Sequence, residues 1–229
     1  VGDALGHYYE HGDSSCYSTY MRLSKPFAMR YPLEDCQGNN GTLNSNNDEA
    51  SMRYTELRLS PLGHKLFEDI EKDTIAEWSV NFDETETYPK VLPSKGYYNI
   101  CNGTIGLGIA LSSSIPQFNL REINEALIKL LWNPEIDFEE ICVMPDFATG
   151  AVITNAEEIK ESLKNGCGAA IKLRAVVEYD KSRRTLIVKE LPCGLYTETL
   201  SKQIQELLEK NPNCGIDNVN DASHKQADY

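Results

Sequence analysis

Arg53 and Tyr54, adjacent in Ser51-Met52-Arg53-Tyr54-Thr55-Glu56, set a latent nucleophile beside a phosphate-binding cation. A phenol forms covalent intermediates once a base, a metal or a nearby cation stabilises its phenolate. An arginine offers phosphate two parallel hydrogen bonds and stays charged while doing so. Phosphoryl transfer to Tyr54 is therefore the chemistry such a pair could carry, although the same dipeptide also serves as a solvated surface with a snorkelling ring. His11, in Glu10-His11-Gly12-Asp13-Ser14, adds an imidazole that can move a proton or hold a phosphate oxygen near neutral pH. The bland alternative for it is a loop or capping histidine. Ser14 and Ser18 follow, one helical turn apart.

Other constellations carry less. The stretch from Asn102 to Ala110 is glycine-rich, but its order is G-x-x-G-x-G and it lacks the lysine of a phosphate-binding loop. The cysteines at 16, 36, 101, 142, 167, 193 and 214 are scattered and never form C-x-x-C. That argues against a zinc site or a disulfide framework and fits a reducing cytoplasm. Glu157-Glu158 reads as charge at a helix start rather than as metal ligands. No metal site is expected on this chain. No apolar run of about twenty residues marks a membrane span, and no signal peptide is recognisable. A chain that opens at Val1, already inside a patterned segment, reads as a piece of a longer protein.

The formal net charge of −13, from 35 acidic and 22 basic residues, weighs against nucleic-acid binding, because Lys and Arg on phosphates supply most non-specific affinity. Residues 1–60 alone carry Asp3, Glu10, Asp13, Glu34, Asp35, Asp48, Glu49 and Glu56 against Arg22, Lys25, Arg30, Arg53 and Arg58. A DNA role then requires that local arrangement gather the cations on one face.

The elements that must position these groups follow from periodicity and punctuation. Gly12 to Leu23 reads as a helix with Asp13 as its N-cap, ended by Pro26. Asp35 to Asp48, rich in Asn and Gly, reads as loop, with Tyr54 on a short strand or turn just beyond it. Ser60-Pro61 starts a helix whose apolar period runs through Leu62, Leu66, Phe67, Ile70, Thr74 and Trp78, with an exposed Glu68–Lys72 pair. Its His64 reads as structural. Residues 81–99 form a polar connection punctuated by Pro89 and Pro93. Asn119 caps a helix. Another opens at Asn155 and closes at Asn165-Gly166. Ile171–Ala175 and Thr185–Leu191 form an antiparallel hairpin around a turn at 180–184. Thr197 begins a last helix, ended near Asn211-Pro212.

Four segments carry a family resemblance: Tyr9-Glu10-His11-Gly12-Asp13-Ser14, Pro26-Phe27-Ala28-Met29-Arg30-Tyr31-Pro32, Gln37-Gly38-Asn39-Asn40-Gly41 and Met52-Arg53-Tyr54-Thr55-Glu56. In order and spacing they resemble the breakage-reunion region of the A subunit of bacterial type IIA DNA topoisomerases, DNA gyrase and topoisomerase IV. The resemblance implies an α+β chain: a partial winged-helix domain of helix-turn-helix type over 1–88, then an α/β tower domain over 89–229, incomplete at its C-terminal end. It implies that Tyr54 attacks a DNA phosphodiester and becomes joined to the 5′ phosphate, with Arg53 supporting the transferring phosphate and His11 near the scissile bond. DNA contacts are implied for Arg22, Lys25, Arg30, Gln37, Asn39 and Leu107. Leu107 falls at a wedge position, usually isoleucine, that enters the minor groove to bend DNA; a turn with Leu107 in the core is the alternative. Ser14 and Ser18 match the quinolone-binding edge, where relatives usually place an acid at the second position. Tyr9 stands where the family commonly has a further histidine.

The resemblance also places Mg²⁺ and ATP on a partner B subunit carrying TOPRIM and ATPase domains, with none on this chain. It implies an A-subunit homodimer in an A2B2 complex, one Tyr54 per DNA strand, in the bacterial cytoplasm at the nucleoid. Gyrase and topoisomerase IV are not separated, because the C-terminal supercoiling region is not among these residues. A non-catalytic DNA-binding module of the same descent is the alternative, supported by the acidic balance and Tyr9. A tyrosine recombinase would need a basic and histidine set around a C-terminal tyrosine, which this sequence does not show.

Overall fold

The computed structural model describes residues 1–46, 48–70, 75–109 and 111–222. The chain divides into two compact units, Val1–Gly38 with Ser51–Ala148, and Asn39–Ala50 with the chain from Thr149 on. Its class is α+β: among the described residues, helices alternate with five two-stranded antiparallel sheets.

The first unit begins with α1 (Gly2–His7) and α2 (Asp13–Ser24). Gly12, not Asp13, occupies the N-cap of α2, and Asp13 instead puts a carboxylate in the first turn, where it meets the positive end of the helix dipole. Met21 and Ser24 face inward. After the Pro26 break the chain enters β1 (Glu34–Gln37), which pairs with β2 (Glu56–Leu59) in the register Glu34↔Leu59 to Gln37↔Glu56. The expected loop thus starts only after Gln37. Ser60 caps α3 (Pro61–Phe67) as its sequence requires, its Oγ accepting from the Gly63 amide at 3.1 Å.

Helix α3 is shorter than its apolar period suggested. Its terminal carbonyl at Leu66 accepts from Lys95 N at 3.2 Å, and Trp78 lies in β3 (Trp78–Val80), paired with β4 (Thr87–Pro89). Lys72 and Thr74 lie outside the described residues. Buried Asn81 organises the turn between β3 and β4: its amide donates to Glu86 O at 2.9 Å, and its Oδ1 accepts from Glu86 N at 3.0 Å. Part of the expected polar connection is therefore a hairpin, because an asparagine side chain can substitute for a backbone pairing. Then come α4 (Tyr98–Cys101), β5 (Thr104–Gly108), β6 (Leu111–Ile115), α5 (Leu120–Trp132) and α6 (Phe138–Ile141). Asn119 caps α5 through Arg121 N at 3.0 Å.

Amide side chains stitch this unit together. Asn102 Oδ1 accepts from Tyr31 N at 2.6 Å while its Nδ2 donates to Tyr31 O at 2.7 Å. Gln117 Nε2 donates to Ala28 O at 2.7 Å, and its Oε1 accepts from Ala148 N at 2.8 Å. Arg30 reaches Asp146 Oδ2 at 2.6 Å. Met21, Phe27, Met29, Leu66, Cys101 and Phe118 are buried. Residues 98–148 thus hold the segment after α2, and the first compact unit runs on to Ala148.

In the second unit, β7 (Val152–Ile153) pairs with β8 (Leu173–Arg174), and α7 (Ala156–Asn165) ends at Gly166 in the left-handed conformation, φ 74°. The expected hairpin is displaced by a few residues: β10 (Thr185–Glu190) pairs with β9 (Val176–Asp180), while Leu173–Arg174 goes to Val152–Ile153 instead. The alternating pattern continues through 180, so pattern alone did not fix which half pairs where. The turn is as expected, with Asp180 Oδ1 accepting from Ser182 N at 2.8 Å. Helix α8 (Thr197–Lys210) ends before Pro212.

Candidate active site

Tyr54 closes a single 3-10 turn, Met52–Tyr54, between the loop that leaves β1 and the start of β2. Its amide donates to Ser51 O at 2.9 Å, which turns the side chain outward: Tyr54 is 67% exposed. The Arg53 guanidinium carbon sits 5.0 Å from the Tyr54 ring centroid, within the range at which a cation is attracted to an aromatic face. The expected pair is thus assembled and presented to solvent.

Two further groups fix the turn. Thr55 Oγ1 lies 3.1 Å from Tyr17 Oη, tying the residue after Tyr54 to α2. Gly38 has φ +110°, and a Cβ added there would sit 2.7 Å from Tyr54 O. Only a residue without a side chain permits that approach. Neither Tyr17 nor Gly38 was singled out as functional in the sequence; the Gln37-Gly38 step was the available signal for the second.

Beside the pair lies an open cavity of about 550 Å³, lined among others by Tyr8, Tyr17, Tyr20, Glu34, Arg53 and Arg58. Glu34 is its unusual member. Its Oε2 is buried without a hydrogen-bond partner, and burial pushes its carboxyl up to about 7. Burial likewise raises the Tyr20 phenol. Arg58 lies 3.7 Å from Asp35.

The remaining expected site residues are placed unevenly. His11 is exposed just before α2 and makes an edge contact with Tyr9, ring centroids 5.2 Å apart; among the described residues it makes no hydrogen bond, ion pair or ring contact with Arg53 or Tyr54. Ser14 and Ser18 are exposed on α2, with Ser18 Oγ donating to Ser15 O at 3.1 Å. Arg22 is exposed on the same helix, and Gln37 is exposed at the end of β1. Asn39 is exposed, and its side chain is used by the loop, donating to Asp48 O at 2.6 Å and accepting from Gly41 N at 3.1 Å. Lys25 departs from the expected surface set: it is 8% exposed, with its Nζ 5.8 Å from the Phe27 ring centroid. Arg30 departs too, since both its Nε and Nη2 engage Asp146 Oδ2, at 3.2 and 2.6 Å. Lys25 is thus packed inward, while Arg30 is ion-paired to Asp146 and still partly exposed. Leu107 has its backbone in β5 opposite Ser112; its side chain lies outside the described part of the structure. The glycine-rich stretch is a hairpin rather than a loop, and Ile109 near its tip is fully exposed.

Among the described residues no group of three or more His, Cys, Asp or Glu is placed to hold a metal ion, and no helix is long and apolar enough to cross a membrane.

Comparison with known proteins supplies the context for this geometry. The DNA gyrase A subunit of Thermotoga maritima is 40% identical over 230 residues, covering 99% of this chain and 28% of the relative. The DNA gyrase A subunit of Pseudomonas aeruginosa is 38% identical over 232 residues, 98% of this chain and 25% of the relative. That of Escherichia coli is 37% identical over 231 residues, 98% and 26%. The chain therefore spans about a quarter of the length of these curated relatives. The family model for the A subunit of DNA gyrase/topoisomerase IV matches residues 1–228. The chain belongs to the DNA gyrase/topoisomerase IV A-subunit family.

Proposed function

We propose that this chain is the catalytic segment of the A subunit of a type IIA topoisomerase and that Tyr54 cleaves and religates duplex DNA through a 5′-phosphotyrosine linkage. The observation that carries this is the Arg53–Tyr54 pair, exposed on a turn that Thr55 and Gly38 hold from both sides, in a chain of the gyrase A family. Attack by the Tyr54 oxygen on a backbone phosphorus forms the phosphotyrosine bond and breaks the bond to the 3′ oxygen of the neighbouring sugar, which leaves as a hydroxyl. Reversal by that hydroxyl restores the DNA and the phenol without ATP at this step. Arg53 is near enough to swing from the ring to the charge that grows on the phosphate, the point at which a preorganised cation helps most. His11 serves as proton carrier or as hydrogen-bond donor to a phosphate oxygen once DNA brings it and Tyr54 to one phosphodiester.

In this reading residues 1–88 form a partial winged-helix domain and 89–229 part of a tower. Duplex DNA lies across α2 and the Tyr54 turn, contacted through Arg22, Gln37 and Asn39, with Leu107 near the tip of the β5–β6 hairpin as the wedge. Lys25 and Arg30 support the fold beneath that surface. A partner B subunit supplies Mg²⁺ and ATP. Two A subunits supply one Tyr54 to each strand of an A2B2 assembly, which works at the nucleoid in the bacterial cytoplasm. Ser14 and Ser18 form the edge at which a quinolone would rest, weakened by the absence of an acid at 18.

Plasmid relaxation and supercoiling by the complete A subunit with its B partner, Mg²⁺ and ATP test this. Wild type should change linking number and Tyr54→Phe should not, while both bind duplex DNA with the same salt dependence. Equal activity in the two would remove Tyr54 from the chemistry; binding without any topology change in wild type would favour a non-catalytic DNA-binding module.

A further inference from the structure

Tyr9 is tied down at both ends. Its amide donates to Ala4 O at 2.8 Å, which fixes its backbone to α1, and its hydroxyl lies 2.9 Å from Ser15 Oγ in the first turn of α2. Ser15 Oγ donates its own proton to Gly12 O at 3.0 Å, so the Tyr9 hydroxyl is the donor in the bond between them. The phenol therefore bridges residues 10–14, from the end of α1 to the start of α2. His11 lies within the bridged segment, its ring edge-on to that of Tyr9, with centroids 5.2 Å apart and planes at 81°. Tyr9, His11, Ser15 and Tyr54 all belong to the first compact unit.

That ring contact is what orients His11. The side chain is exposed, and among the described residues it makes no hydrogen bond and no ion pair; its contact is with the Tyr9 ring. An exposed imidazole without partners samples its rotamers freely, whereas an aromatic pair in this geometry favours one of them by about two- to tenfold. No hydrogen bond among the described residues competes for the ring nitrogens, the atoms that would meet a phosphate oxygen or carry a proton. We propose that Tyr9 is a positioning residue for His11: its ring, held at Ala4 and Ser15, keeps the imidazole in the orientation used at the scissile phosphate. Small losses of alignment at a reacting group cost rate even where binding is intact. Tyr9, which in the sequence favoured a non-catalytic module, then serves the reaction. The inference rests on the proposed cleavage by Tyr54 and on the part of His11 in it.

The test uses the complete A subunit with its B partner, Mg²⁺ and duplex DNA, and compares wild type with Tyr9→Leu, His11→Gln and the two combined. Tyr9→Leu keeps the amide bonded to Ala4 and removes the ring, whereas Tyr9→Phe keeps the ring and loses only the bond to Ser15. The cleavage rate at saturating DNA should fall about fivefold in Tyr9→Leu, within the range such a ring contact is worth, with half-saturating DNA unchanged. Tyr9→Phe should recover most of that loss. With His11→Gln already in place, Tyr9→Leu should change the rate by less than about twofold, because the group it orients is gone. Equal losses in the two backgrounds would mean that Tyr9 only joins α1 to α2 and would overturn the proposal. An unchanged rate in Tyr9→Leu would overturn it as well.

A second readout is independent of cleavage. Deuterium exchange at the carbon between the two ring nitrogens of His11, followed by peptide mass, should quicken several-fold in Tyr9→Leu, once the phenol no longer packs against the imidazole. Unchanged exchange there would show that Tyr9 does not hold the ring and would overturn the proposal. Failure of the cleavage reading itself would look different: wild type would give no covalent complex, which removes Tyr9 from the reaction, while exchange at His11 would still respond to Tyr9→Leu.

Discussion

Glu34 offers a prediction in which charge can be separated from shape. Its carboxyl is held at about 7 against an ordinary 4.5, chiefly by burial. The unfolded chain loses this proton near 4.5 and the folded chain only near 7. Between those values the folded state binds the extra proton, so stability falls as pH rises through the window and stays at the lower level above it. The gap of about 2.5 is worth about 3.4 kcal/mol at full weight. Glu34 is only half-buried, and solvent screening reduces that to roughly 1–2 kcal/mol. Glu34→Gln keeps the shape and leaves an equally unpartnered polar atom where Oε2 now lies, so it removes the charge alone. Thermal melts of the chain at pH 8 should then show the variant higher by roughly 2–8 °C, with the two melting points converging by about pH 4. Equal melting points at pH 8, or the same offset at pH 4 and pH 8, would refute the assignment.

Three further outcomes are expected. Gly38→Ala, at φ +110° with its new Cβ 2.7 Å from Tyr54 O, should destabilise by about 1–3 kcal/mol, read by urea melts, and should slow cleavage more than it weakens DNA binding. Asn102→Ala removes both side-chain bonds to Tyr31 and leaves a poorly exposed amide without that partner; a loss of about 2–4 kcal/mol in the same assay is expected. Ser18→Asp, on the exposed face of α2, should raise quinolone-stimulated cleavage by the assembled enzyme, and an unchanged drug response would separate Ser18 from that edge.

Local signals were the legible ones. Ser60-Pro61, Asn119 and Asn165-Gly166 each mark a helix end by chemistry that acts over three or four residues, and the structure keeps all three. What the sequence left ambiguous depends on distant partners. Trp78 fits a helical period as well as a strand, and only pairing with Pro89 settles it. Asn102 and Gln117 look like ordinary polar residues until Tyr31 and Ala28 are brought against them. At the candidate site the Arg53–Tyr54 pair was readable because adjacency in sequence is adjacency in space. The burial of Lys25 and the pairing of Arg30 with Asp146 were not legible, because a basic residue near a proline carries no mark of the partner it will meet. Glu34 went unnoticed as a site residue, since an acid in a short strand stands out only when its environment is dry.

The most direct measurement mixes the complete A subunit with its B partner, Mg²⁺ and end-labelled plasmid, stops the reaction with detergent and maps the DNA-linked peptide by mass. A 5′ adduct on Tyr54, absent in Tyr54→Phe, is the predicted result. Intact DNA with retained, salt-sensitive binding, or an adduct on any other residue, would contradict it.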